Sequence, residues 1–176
     1  MRRTIVIGIA LGLSAAALAA EAGPKKSPAP VAATADEEPF SRAFALAVDK
    51  PGGMAFDGAL LWVADRLGGA VVGVDPATGA ERTRLKAPGP FPTGVAFDGA
   101  LLWVADRDTG RLFGIDTAKK LVVRQVDGPG TPLSLAFDGA DLWVADGKRL
   151  HRVMRSDGTT IVSFNAPPWD GNGRAS

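Results

Sequence analysis

Three aspartates recur in this chain at regular spacing, each at the end of a short apolar segment. They are Asp65, Asp106 and Asp146. Carboxylate oxygens are ligands that Ca²⁺ and other hard cations prefer, so three of them around a common axis could bind such an ion. A carboxylate that ends a strand also accepts hydrogen bonds from backbone N–H groups of the next turn. The exact repetition favours this structural role, because a ligand site usually breaks the symmetry of a repeat.

Basic side chains extend the candidate ligand-binding set. Arg66 and Arg107 each come directly after one of the three aspartates, whereas Gly147 takes this place in the third copy. We predict that a ligand, either a protein or a small molecule, binds at the axis or on the surface formed by these loops. The five residues do not specify which ligand that is.

The single histidine of the chain, His151, has no acidic residue beside it in the sequence. We therefore expect it to be exposed and to take no part in catalysis. The basic residues around it (Lys148, Arg149, Arg152 and Arg155) either meet an anionic ligand or form the solvated face of a terminal repeat, and we favour the terminal repeat. Since the chain lacks cysteine and the usual hydrolase, phosphate-loop, zinc-protease and EF-hand motifs, we predict no catalytic residue.

A tandem repeat positions all of these side chains. The string AFDGALLWVADR occupies Ala55–Arg66 and recurs unchanged at Ala96–Arg107. A third copy at Ala136–Asp146 reads AFDGADLWVAD, with Asp141 as its one difference. The copies begin 41 and then 40 residues apart. Repeats of this length are typical of units that bury a common core by stacking on one another.

Each repeat contains four predicted strands separated by turn residues. They are Met54–Phe56, Leu60–Ala64, Ala70–Val74 and Glu81–Leu85; Val95–Phe97, Leu101–Ala105, Arg111–Ile115 and Leu121–Val126; and Leu135–Phe137, Leu142–Ala145, Leu150–Met154 and Thr160–Phe164. No segment offers ten residues of helical periodicity, so the pattern predicts β-strands. One more strand is predicted ahead of the first repeat, over Arg42–Val48.

Two further residue types recur within the repeats. Asp57, Asp98 and Asp138 each precede a glycine, which indicates tight turns. Trp62, Trp103 and Trp143 lie in the middle of apolar strands. A ligand could stack on such rings, but a large aromatic is better suited to fill the wedge between neighbouring sheets.

These strings resemble the NHL and YncE-like (YVTN) β-propeller repeats, and those of virginiamycin B lyase-type bacterial extracellular propellers, over Arg42 to about Asn165. The resemblance implies an all-β fold of about three four-stranded blades. Propeller lyases of this type rely on more than one histidine, which this chain cannot supply. The metal ligands of lactonase-type propellers cannot be transferred to it residue by residue.

Three blades are too few for a closed ring, because propellers typically close with four to eight. Three arrangements follow. The chain is a fragment of a longer propeller, or two chains form a homodimer that completes a six-bladed ring, or the blades form an open arc. The arc is the least favoured, since free strand edges and uncovered sheet faces promote aggregation.

The N-terminal segment has the pattern of an export signal. In residues 1–22, Arg2 and Arg3 precede the apolar run Ile5–Leu18, and small residues follow at the cleavage site, which predicts a signal peptide and a secreted or periplasmic protein. An uncleaved anchor is the alternative. Residues 23–40 are predicted to form a flexible Pro/Ala-rich linker, 41–165 the propeller repeats and 166–176 a C-terminal tail.

The composition of the chain limits the kinds of partner and cofactor that we expect. The formal net charge of +1 gives no reason to expect a nucleic acid. No cofactor is predicted, apart from the Ca²⁺ that the repeated aspartates could hold. The sequence thus predicts an exported, non-enzymatic binding module. The alternatives are a lyase or lactonase-like enzyme with a divalent metal at the blade axis, and a truncated propeller without independent function.

Overall fold

The computed structural model describes residues 45–165, in which the regular secondary structure consists of twelve β-strands. They are β1 Pro51–Phe56, β2 Leu61–Asp65, β3 Ala70–Val74, β4 Glu81–Lys86, β5 Pro92–Phe97, β6 Leu102–Asp106, β7 Arg111–Asp116, β8 Leu121–Asp127, β9 Ser134–Phe137, β10 Leu142–Ala145, β11 Arg149–Val153 and β12 Thr160–Asn165. Between residues 45 and 165 there is no helix with the length and apolarity that crossing a membrane requires.

The strands form three antiparallel sheets of four, and in each sheet the spatial order follows the chain. We name them blade 1 (β1–β4), blade 2 (β5–β8) and blade 3 (β9–β12). The prediction of an all-β fold with three four-stranded blades is confirmed. β1 and β5 begin three residues earlier than predicted, at Pro51 and Pro92. Proline is tolerated at the first residue of a strand, and a bulge follows it in both cases.

Several predictions fall partly or wholly outside the described residues. The signal peptide (residues 1–22), the linker (23–40) and the tail (166–176) lie there entirely. Of the strand predicted over Arg42–Val48, the structure describes residues 45–48, and these lie in no strand. Val48 instead packs against the buried side chains of blade 1 as part of the segment that leads into β1.

The inner strands of the three blades lie side by side, and glycine permits their close approach. A Cβ atom on Gly53 would lie 2.9 Å from the Cα of Gly94 in the next blade. A Cβ on Gly94 would lie 2.5 Å from the backbone nitrogen of Leu135 in blade 3. These distances are too short for a side chain, so the junctions between blades require glycine at both positions.

Two apolar cores fill the spaces between neighbouring blades. Trp62 and Trp103, both almost fully buried, lie in the first and second of these cores. The first core combines Trp62, Ala64, Val71 and Leu85 with Val95, Leu102, Val104 and Ile115; the second combines Ala96, Trp103, Ala105, Leu112 and Val126 with Leu135, Leu142, Val144 and Val153. Each blade therefore depends on its neighbour for burial, as expected of stacked repeats.

Candidate functional site

The aspartates that close the second strands are bound to the backbone of their own blades. Asp65 is 1% exposed, and it accepts hydrogen bonds from the N–H groups of Gly68 at 2.9 Å and of Asp49 and Lys50 at 3.2 and 3.3 Å. Burial opposes ionisation of Asp65, but these bonds and Arg84 together lower the pKa of its carboxyl group. Asp65 thus fixes the segment that leads into β1.

The equivalent aspartates of the other blades are held in the same way. Asp106 is also 1% exposed and accepts bonds from the backbone N–H groups of Phe91 and Thr109 at 2.6 and 2.8 Å. Asp146 accepts bonds from the N–H groups of Lys148 and Arg149 at 2.9 and 2.7 Å. In each blade the carboxylate joins the turn after the second strand, and in blades 1 and 2 also the segment before the first.

The structure does not bring the predicted ligand-binding residues into one cluster. In the part of the chain between residues 45 and 165, no three His, Asp or Glu side chains are placed to hold a metal ion together. Arg66 donates to the carbonyl of Pro51 at 3.2 Å, and Arg107 stacks on the ring of Phe91 at 3.6 Å. Both arginines thus lie against the segments that lead into the inner strands.

The turn aspartates form a second repeated motif with the tryptophans. One carboxylate oxygen of Asp98 accepts backbone N–H bonds from Ala100 and Leu101, and the other accepts the indole N–H of Trp103 at 2.9 Å. The same bonds join Asp57 to Trp62 and Asp138 to Trp143, at 2.7 and 2.8 Å. Each Asp–Trp pair links the first turn of its blade to the tryptophan ring on the second strand.

The expectation that His151 is exposed is wrong. Its side chain is 6% exposed and occupies the position on β11 that Val72 and Phe113 hold on β3 and β7. His151 Nε2 lies 3.1 Å from Asp146 Oδ2, and Nδ1 lies 2.8 Å from Ser163 Oγ. Neighbours in the sequence could not reveal this burial, but alignment of the three copies places His151 at a core position.

A shallow, open cavity of about 260 Å³ lies along the inner strands. Three phenylalanines, one from the same position of each repeat, line it together with six smaller apolar side chains. They are Phe56, Phe97 and Phe137, with Met54, Ala55, Val95, Ala96, Leu135 and Ala136.

An exposed apolar surface lies on the side of blade 3 that faces away from blade 2. We call it the terminal face and define it by Trp143, Leu150 and Phe164. Leu150 is 49% and Phe164 51% exposed. The rings of Trp143 and Phe164 stack with their centroids 5.9 Å apart. The sequence offered two roles for Trp143, ligand stacking and the favoured packing between blades, but it did not identify this surface, which becomes visible once each blade is seen to bury these positions against the next.

The strand register shows which residues of blades 1 and 2 are equivalent to those of the terminal face. They are Trp62, Val71 and Leu85 in blade 1, and Trp103, Leu112 and Val126 in blade 2. All six are buried against the following blade, with at most 7% exposure. The terminal face is therefore a blade-packing surface that no blade covers among residues 45–165.

Blade 3 also departs from the repeat on this side. Ser134 stands where Gly53 and Gly94 allow close approach of the next inner strand. Arg152 occupies the position of a glycine, and its guanidinium binds the carboxylate of Asp141 at 2.9 Å. In blades 1 and 2 the corresponding pair is a leucine packed on a glycine. These changes alter the rim of the terminal face and leave its apolar centre in place.

Comparison with known proteins identifies the type of fold to which these blades are similar. No protein-family model matches the chain, and no curated protein matches it. Among solved structures, it resembles hydrazine synthase of Kuenenia stuttgartiensis, with 19% identity, a TM-score of 0.58, and coverage of 73% of this chain and 39% of that one. Glutaminyl cyclase of Myxococcus xanthus gives 16% identity, a TM-score of 0.60, and coverage of 66% and 50%.

The virginiamycin B lyase of Staphylococcus aureus gives 19% identity, a TM-score of 0.53, and coverage of 68% and 42%. All three are propeller-type proteins. This chain has a β-propeller-type fold. Its blades span half or less of each of these structures and do not close into a ring. At such low identity the likeness concerns the fold, and a propeller fold is shared by proteins with unrelated functions.

Proposed function

We propose that this protein is an exported interaction module that associates through the terminal face of blade 3. One observation carries the proposal: Trp143, Leu150 and Phe164 are accessible, whereas the same positions of blades 1 and 2 are buried against the next blade. A few well-packed side chains near the centre of a protein interface, Trp prominent among them, contribute most of the binding energy. The leader predicted over residues 1–22 supports export.

The occupant that we propose is a second copy of this chain, bound by the same face. Arg152, the cation at the rim, is already paired with Asp138 and Asp141, so two copies of the face can approach without repulsion between like charges. A two-fold axis makes such an interface self-complementary, which is the commonest arrangement in soluble homo-oligomers.

Closure of a six-bladed ring would need a different contact, in which the terminal face packs on blade 1 of the other copy. The far side of blade 1 offers little room for this, since Val63, Val72 and Val74 are buried and Val48 packs there. Ser134 would also meet the incoming inner strand where the other junctions have glycine. These features support the same-face arrangement over the head-to-tail ring.

We further propose that the blades belong to the NHL and YncE-like group of propeller repeats. The support is the motif itself, in which AFDG leads through a turn to LWVAD in all three copies. The structure gives this motif a physical basis, because its first aspartate binds the tryptophan and its second ends the strand that carries this ring.

The test is the solution mass of the full chain over a range of concentrations, measured by light scattering after size exclusion. The wild type is expected to form a dimer as concentration rises. Phe164→Lys is expected to remain a monomer with unchanged thermal unfolding, because it places a charge on the interface and leaves the cores intact.

Leu121→Lys is the matched control, since Leu121 is 59% exposed on β8, outside the terminal face. It is expected to dimerise like the wild type. A wild type that stays monomeric at every concentration, or a dimer that Phe164→Lys leaves intact, would overturn the proposal.

A further inference from the structure

A chain of hydrogen bonds through Asp146, His151 and Ser163 crosses blade 3. His151 Nε2 lies 3.1 Å from Asp146 Oδ2, and Nδ1 lies 2.8 Å from Ser163 Oγ. Blades 1 and 2 do not repeat it, because they carry Val72 and Phe113 at the position of the imidazole. Of the three blades, only blade 3 contains this hydrogen-bond network, and packing of the repeat does not require it.

The chemistry of the partners indicates which role each ring nitrogen takes when the imidazole is neutral. Backbone N–H bonds from Lys148 and Arg149 stabilise the Asp146 carboxylate, and its pKa is lowered although burial opposes ionisation. A carboxylate has no hydrogen to donate, so His151 Nε2 carries the proton in this bond. In the neutral ring, Nδ1 then presents its lone pair to the hydroxyl of Ser163. This is the protonation pattern that prepares a serine for nucleophilic attack.

The histidine and the serine of this hydrogen-bond network differ in access to solvent. His151 is 6% exposed, so water competes little for its hydrogen bonds. Ser163 lies on β12, the outermost strand of blade 3, and is exposed. A buried base beside an accessible hydroxyl is the combination that a covalent catalyst requires.

A positively charged side chain, Arg149, lies near Ser163 in the register of β11 and β12. Ser163 pairs with His151, and Asn165 pairs with Arg149 two residues further along. Alternate residues of a strand share a face, so both pairs lie on the same side of the sheet. Arg149 donates from Nε to Asn165 Oδ1 at 3.0 Å, which holds the guanidinium on that side. A fixed positive charge there stabilises negative charge that develops on a substrate oxygen.

We propose that Ser163 is a nucleophile for acyl transfer from carboxylic esters, with His151 as general base and Asp146 as the positioning residue. Arg149 stabilises the oxyanion of the tetrahedral intermediate. This activity goes beyond the association proposed above, and it uses the side of blade 3 opposite to the terminal face.

The reaction balances with water as the second substrate. Ser163 Oγ attacks the carbonyl carbon while its proton passes to His151 Nδ1, and the bond to the alcohol oxygen then breaks as the alcohol takes this proton. A water molecule next attacks the acyl-serine and gives its proton to Nδ1. The serine recovers that proton as the carboxylic acid leaves. One ester and one water yield one acid and one alcohol.

The test measures hydrolysis of p-nitrophenyl acetate by the full chain, together with the intact mass after treatment with a fluorophosphonate. The wild type is expected to hydrolyse the ester and to gain one phosphonyl group, located on Ser163 by peptide mapping. Ser163→Ala and His151→Phe are expected to lose hydrolysis by about 100-fold or more, since general-base catalysis contributes at least this factor. His151→Phe places in blade 3 the residue that blade 2 carries at this position.

Ser156→Ala is the control, because Ser156 lies in the turn before β12 and has no bond to His151. It is expected to retain both activity and labelling. Circular dichroism checks that every variant is folded. A wild-type rate no higher than that of folded Ser163→Ala, or a phosphonyl group found on any other residue, would overturn the proposal and leave the chain of hydrogen bonds with a structural role only.

Discussion

Asp98 illustrates how one side chain of this protein joins several parts of the fold. It binds its own turn, the indole of Trp103 and, from blade 3, Arg155 Nη1 at 2.8 Å. Its side chain is only 3% exposed. Asp138 makes the corresponding turn and indole bonds in a more open setting. The same Asp–Trp motif is therefore expected to contribute more to stability in blade 2 than in blade 3.

Asp98→Asn is expected to destabilise the protein by about 2 kcal/mol, because the amide cannot accept all of these bonds and removes the charge opposite Arg155. Asp138→Asn is expected to have a smaller effect. Urea unfolding, followed by tryptophan fluorescence, measures both. Equal losses of stability would contradict the difference that burial predicts.

The turn aspartates also predict how stability responds to acid. Backbone bonds from Asp141, the indole of Trp143 and the N–H of Ala140 lower the pKa of Asp138 from its ordinary value of 3.8 to about 2. A carboxyl whose pKa is lower in the folded state stabilises the fold fully above its unfolded pKa. This contribution is lost as the pH falls from about 4 to about 2.

We therefore expect the urea midpoint to change little between pH 7 and 5 and to fall below about pH 4. Asp138→Asn should show a smaller fall than the wild type, since residue 138 then no longer titrates. Unfolding curves at pH 7, 5, 4 and 3 test this. A midpoint that rises on acidification would contradict the assignment.

At the scale of the strands, the sequence predicted nearly all of the architecture. The twelve strands of the repeats lie where periodicity and turn residues placed them, because each strand is short and bounded by glycine, proline or aspartate. The role of His151 could not be predicted in this way. Alignment of the three copies places His151 at a core position, but its partner Ser163 is supplied by a strand whose register the local sequence does not specify.

The glycines of the inner strands give a prediction at this scale. Gly94→Ser is expected to destabilise the protein by about 1–3 kcal/mol, because its Cβ would overlap the backbone of blade 3 at Leu135. The reciprocal change, Ser134→Gly, should have little effect on packing, since Ser134 is exposed. Thermal unfolding of both variants compares the two junctions. A neutral Gly94→Ser would show that the blades are not packed as described.

At the scale of the molecule, the three blades make two complete junctions, and within residues 45–165 one packing face of blade 3 has no blade against it. Sequence analysis predicted that three blades would not close a ring, but it could not identify the open surface. The exposure of Leu150 and Phe164 depends on whether another blade packs on blade 3, and the local sequence does not show this. The same apolar residues stabilise a junction in blades 1 and 2 and form a candidate interface in blade 3.

The most direct test of this account uses single cysteines, which is straightforward because the chain has none of its own. Leu150→Cys places a thiol on the terminal face, and Met54→Cys places one on β1 of blade 1. A short bis-maleimide is then added to each full-length variant and to their mixture. Same-face association predicts that Leu150→Cys forms covalent dimers in the absence of Met54→Cys. Dimers that form only when Leu150→Cys and Met54→Cys are mixed would indicate a head-to-tail ring, and the absence of dimers in all three samples would contradict association through the terminal face.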